Sequence, residues 1–239
     1  MKRKIINISL DIMTLIVEIY LFCLGRSMLY KSGSINYKLN TFKDITDILF
    51  NGKLYTAENL RLWFIAIFVL YIFIFIKLYR SLTKESLNYR SLKLYRYGKV
   101  KYINHCKNKT LIANIQSVII LFIGVILIRL LLLFQGVNIS FELSQFVSIV
   151  IPLFKIFITM ELLGSLNIYF LFQYNNTFVM IYSVTILFMS VIIDTYIDLI
   201  NIYSYENILQ KVLFLGLYEF INILIYYWCM NSTKKKSMC

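Results

Sequence analysis

Six apolar runs follow one another along the chain, at about residues 5–25, 62–76, 111–134, 146–172, 178–196 and 208–230. A helix needs roughly 20 mostly apolar residues to cross the hydrocarbon core of a bilayer, so each run reads as a membrane span; the second is short and very aromatic. The first could be a secretory signal, but it contains Asp11 and Glu18 and is followed by Gly25-Arg26-Ser27-Met28 rather than a small-residue cleavage site, which favours a retained span. Trp63 and Tyr79 bracket the second run and are expected to serve as interfacial anchors. Between the first two runs, Phe42, Ile45, Ile48, Leu49 and Phe50 form a helical stripe that predicts a short amphipathic helix lying in the membrane interface.

Composition supports this pattern. Of 239 residues, 59% are hydrophobic and 15% charged, against roughly a quarter charged in soluble domains, so the chain lacks the polar surface to cover a globule. An ordinary soluble enzyme is excluded, and six spans leave no room for a large additional domain. The fold class is therefore an all-α integral membrane protein, one polytopic domain over residues 1–239.

The net charge of +13 would suggest nucleic acid in a soluble protein; here its placement gives topology instead. The amino end, the stretch 77–109 and the Lys234-Lys235-Lys236 tail hold 16 cations, against 5 in the first, third and fifth loops. The positive-inside rule places both ends and the basic stretch in the cytoplasm, which fits six spans, N-in and C-in. The basic stretch carries ten Lys or Arg against Glu85 alone, interleaved with Leu and Tyr, and is suited to anionic lipid headgroups or a cytoplasmic protein rather than to nucleic acid.

Ionisable side chains inside spans cost about 2.5–3.5 kcal/mol each on insertion scales and normally face a partner helix or a wet cavity. Asp11 and Glu18, seven apart with Thr14 between them, share a face of the first span that should point inward. Pro152 and Lys155 share a face of the fourth, where a kinked or broken helix is expected; Glu161 lies deep in the same span. Asp194, Lys211 and Glu219 mark the last two spans. Two readings remain open for this set: a substrate or ion path, and structural pairs that fix helix register.

Catalytic constellations are sparse. His105 is the only histidine, which argues against histidine-rich metal centres, and no phosphate-binding loop or dinucleotide fingerprint occurs. The four cysteines have no C-x-x-C spacing and read as reduced structural thiols. His105-Cys106 leaves a membrane peptidase as an alternative, although adjacent helical residues point about 100° apart. A lipid-modifying enzyme and a non-transporting anchor or regulator also remain alternatives.

The six-span layout, the basic stretch after the second span and Leu94-Tyr95-Arg96-Tyr97-Gly98-Lys99 resemble the small permease subunits of ABC exporters, especially those of low-GC Gram-positive bacteria associated with lantibiotic immunity or peptide export. The resemblance implies a coupling helix within 81–97, with Glu85, Tyr89, Arg90, Arg96 and Tyr97 as contacts to a separate cytoplasmic ATPase. It further implies a dimer with itself or a similar permease, no cofactor on this chain, ATP and Mg on the partner, a plasma-membrane location, and movement of an amphipathic peptide or lipid-like molecule.

Overall fold

The fold is known from a computed structural model that describes residues 2–31, 41–50, 57–83, 98–137, 143–173 and 180–189, with isolated positions at 39 and 55 and between 213 and 228. Every regular element among the described residues is a helix: α1 Lys2–Lys31, α2 Phe42–Phe50, α3 Ala57–Thr83, α4 Lys99–Phe134, α5 Leu143–Gln173 and α6 Met180–Met189. Four of them, α1, α3, α4 and α5, contain segments long and apolar enough to cross a membrane.

These four pack side by side around one core. Buried positions recur at three- and four-residue steps, as at Thr14, Glu18, Leu21, Gly25 and Met28 of α1 and Trp63, Ile67, Leu70, Ile74 and Lys77 of α3. That spacing keeps one seam of each helix turned to its neighbours, as in left-handed bundles. The opposite stripes, with Ile8, Ile12 and Ile16 on α1 and Ile112, Ile119 and Ile123 on α4, are exposed and apolar, the surface expected to meet lipid tails.

The helices run beyond the apolar runs that the sequence marks. The first span extends past residue 25 to Lys31, and α3 continues beyond residue 76 to Thr83. Lys77, assigned to the basic loop by its charge, is instead a buried helical residue of α3. α4 begins at Lys99, ahead of the apolar run at 111, so residues 77–83 and 99–109 of the basic stretch are helical. Hydropathy misplaces these ends because a basic helical turn scores as loop even when its apolar residues pack. Here Leu82 of α3, Tyr102, Ile103 and Cys106 of α4 and Ile168 of α5 form a second apolar cluster, which holds the basic turns together. α5 runs through Pro152 without a break; of the kinked or broken helix expected there, the broken form does not occur.

α2 is also placed differently. The helix forms as predicted, started by a capping box in which the Thr41 N–H donates to the Asp44 carboxylate (2.8 Å) and the Asp44 N–H to the Thr41 hydroxyl (3.4 Å). Its apolar positions Ile45, Ile48 and Leu49 are fully buried against α1 and α5, so the stripe faces protein and not lipid. The Tyr55 hydroxyl donates to the Ile48 carbonyl (2.5 Å) and the Trp63 indole N–H to the Leu49 carbonyl (3.3 Å), satisfying orphan carbonyls in the last turn of α2. Trp63 is thus a buried docking residue for α2 and not an interfacial anchor. Gly25 of α1 admits this arrangement, since a side chain there would strike the Tyr55 hydroxyl and Ile48.

Candidate functional site: buried charges in the helical bundle

Among the described residues, four acidic or basic side chains of the bundle are buried, Glu18 from α1, Lys77 from α3, and Lys155 and Glu161 from α5, and a fifth, Asp11 of α1, lies half-buried beside Lys77. Asp11 and Lys77 pair directly. The Lys77 ammonium donates to Asp11 Oδ1 at 2.6 Å, and the two side chains are 5% and 30% exposed. α1 and α3 are therefore clamped toward the amino end of α1, near the basic turns of α3 and α4. At the other end, the Arg26 guanidinium donates to Gln135 Oε1 (2.8 Å) and ties α1 to the end of α4.

Glu18 lies seven residues beyond Asp11 on the same face, about 10 Å along the helix, with Thr14 between them. The inward face predicted from this spacing is the one observed, since Thr14 and Glu18 are both buried. Unlike Asp11, Glu18 has no hydrogen-bond or ion-pair partner among the described residues. Its side chain is fully buried, neither carboxyl oxygen makes a hydrogen bond, and the group lies over Gly124 of α4, where a Cβ would overlap it. The sequence marks Glu18 as inward-facing, but its isolation and its contact with Gly124 arise only from packing.

α4 and α5 supply the remaining polar contacts. The Asn114 amide donates to the Phe157 carbonyl at 2.7 Å, while its Oδ1 is buried without a hydrogen bond. Lys155 and Glu161 are 5% and 4% exposed, so both are buried in the protein interior. Ser165 and Thr159 return their hydroxyls to carbonyls one turn back in α5. Farther along, the Ser183 hydroxyl of α6 donates to Asn167 Oδ1 of α5, joining those helices.

The expected contacts Glu85, Tyr89, Arg90, Arg96 and Tyr97, and the intramembrane residues Asp194, Lys211 and Glu219, lie outside the described residues. His105 is exposed, whereas Cys106 is buried in the second apolar cluster, so the adjacent pair is divided between two environments. Cys23 and Cys106 are free thiols, and no group of three His, Cys, Asp or Glu side chains suited to a metal ion occurs among the described residues.

No family model, curated protein or solved structure matches this chain. The chemistry available to the site therefore rests on its own geometry, which among the described residues comprises an apolar bundle, the Asp11–Lys77 ion pair, the isolated Glu18 carboxyl group and the buried Lys155 and Glu161 of α5.

Proposed function

We propose that this chain is the membrane-spanning subunit of an ATP-driven exporter. It crosses the plasma membrane six times with both ends in the cytoplasm, and it moves an amphipathic peptide or lipid-like molecule. The observation that carries this reading is the way α3 and α4 continue as a packed pair into the basic end of the bundle. α4 has 36 residues, about 54 Å of helix, against roughly 30 Å of hydrocarbon. Its first turns are held to α3 and α5 by the Leu82, Tyr102, Ile103, Cys106 and Ile168 cluster.

A partner that pushed on the cationic stretch between Thr83 and Lys99 would thus move two spans as rigid levers, since packed cores transmit displacement. The Asp11–Lys77 clamp adds α1 to the moving unit. The buried charges of α1 and α5 supply polar surface along the interior for a substrate's charged or polar groups. ATP and Mg belong to the separate ATPase, and a second permease copy completes the transporter.

The test is purification in mild detergent from the native host, with mass spectrometry and an ATPase assay on what co-purifies. A stoichiometric ATPase is expected with the wild-type chain, and its loss is expected with the Arg90→Ala, Arg96→Ala double variant while membrane insertion persists. Association retained in the double variant, or no ATPase under conditions that preserve other membrane complexes, would refute the proposal.

A further inference from the structure

Glu18 is the one ionisable side chain of the five whose terminal oxygens are both sealed in the protein with no hydrogen-bond partner. Leaving an ionised carboxylate in that state is far more costly than burying a paired one, because nothing replaces the water it loses. The molecule has two ways out: a bound ligand that neutralises the group, or a movement that returns it to water.

Space selects the ligand. The carboxyl group is pressed against the α4 backbone at Gly124, where even one added methyl carbon would overlap it. A metal cation needs several oxygen ligands around it, and no cluster of acidic, His or Cys side chains provides them among the described residues. The charged side chains on the surrounding elements are otherwise engaged or turned elsewhere. Asp11 and Lys77 satisfy each other, Lys155 and Glu161 of α5 and Asp44 and Asp47 of α2 have contacts of their own, and Arg129 is five residues past Gly124 and so on a different face of α4. Among the described residues no cation reaches the carboxyl group, and a proton is the neutralising ligand that fits the space.

We propose that Glu18 is a proton-binding site whose occupation accompanies closure of the α1–α4 contact at Gly124. The carboxylate takes a proton from hydronium, leaving water, as Glu18 seats on Gly124. It returns the proton to water when α1 and α4 separate. Asp11, about two turns from Glu18 on the same face of α1, is the part-exposed end of that face. The site does not depend on an ATPase partner, so it can be tested on the purified chain whether or not the exporter reading holds.

The experiment is infrared spectroscopy of the full chain in lipid nanodiscs at about pH 7, where exposed Glu side chains, with pKa values of about 4.3, are ionised. The wild-type chain is expected to show the C=O stretch of a protonated carboxyl group, and Glu18→Gln to lose it. Glu18→Asp keeps the acid but withdraws it from Gly124, and is expected to shift the band; it also serves if Glu18→Gln does not fold. Wild-type spectra without the band, or superimposable on those of either variant in this region, would overturn the proposal.

Discussion

Lys77 of α3 donates to Asp11 of α1 at 2.6 Å, joining two helices whose paired residues are 66 positions apart in the chain. The lysine is the more deeply buried of the two, so the pair is asymmetric: losing Asp11 strands a charge inside the bundle, whereas losing Lys77 leaves a carboxylate that is only partly covered by protein. Removing one partner of a buried pair costs about 3–5 kcal/mol, while replacing both with apolar groups is often neutral. Asp11→Leu is therefore expected to destabilise the chain more than Lys77→Met, with the double variant more stable than Asp11→Leu alone. Denaturant titration in micelles gives the order, and additive losses would show that the pair contributes nothing as a pair.

Gly124 is expected to be intolerant of any side chain. Gly124→Ala places a methyl carbon on the Glu18 carboxyl group and should cost about 1–3 kcal/mol, the usual range for overpacking. Glu18→Ala in the same chain removes the collision and should recover much of that loss. Thermal unfolding of the two single variants and the double variant measures the coupling; equal losses from Gly124→Ala in both backgrounds would contradict the contact.

Asn114 links α4 to α5 through the Phe157 carbonyl. Interhelical hydrogen bonds in membrane proteins average about 0.6 kcal/mol, because the separated helices find other partners. Asn114→Leu should therefore change stability by less than about 1 kcal/mol, the lost bond being offset by removal of the unsatisfied Oδ1. A loss of several kcal/mol in the same titration would mean that this bond anchors the bundle.

The basic end should be closed around Cys106. In a chain carrying Cys106 as its only cysteine, a water-soluble maleimide is expected to leave the native protein unmodified and to react after unfolding in SDS, since the thiol is buried with Leu82, Tyr102, Ile103 and Ile168. Rapid labelling of the native chain would place these turns in an open loop, as hydropathy alone suggests.

α2 should detach when its docking bonds are removed. Tyr55→Phe deletes the hydrogen bond to the Ile48 carbonyl and is expected to cost about 1 kcal/mol. The loss should appear as faster amide exchange confined to residues 42–50. Unchanged exchange there would mean that apolar burial of Ile45, Ile48 and Leu49 suffices to hold the helix.

Several features of the site were legible because they depend only on local spacing. Asp11, Thr14 and Glu18 share a face by helical periodicity, and the cost of burying their polar groups turns that face inward. The burial of Lys155 and Glu161 follows likewise from their distance to the ends of an apolar run. The α2 helix was legible from its stripe, but its destination was not, since the same stripe suits lipid or protein. Trp63 was misread for the same reason: an indole near a span end can face headgroups or, as here, donate to a neighbouring helix.

The sequence by itself determined that this chain is helical and has segments suited to a membrane, because runs of apolar residues and the scarcity of charge leave few other ways to satisfy the backbone. Tertiary structure decided the partners. Lys77 belongs to a loop by charge and to Asp11 by packing; Glu18 and Asp11 are equivalent by spacing, yet one is clamped and the other sealed alone over Gly124. Local pattern fixes which way a side chain points, but which group it meets depends on the rotation and stagger of helices distant in the chain, and these are set by the packing of the whole bundle.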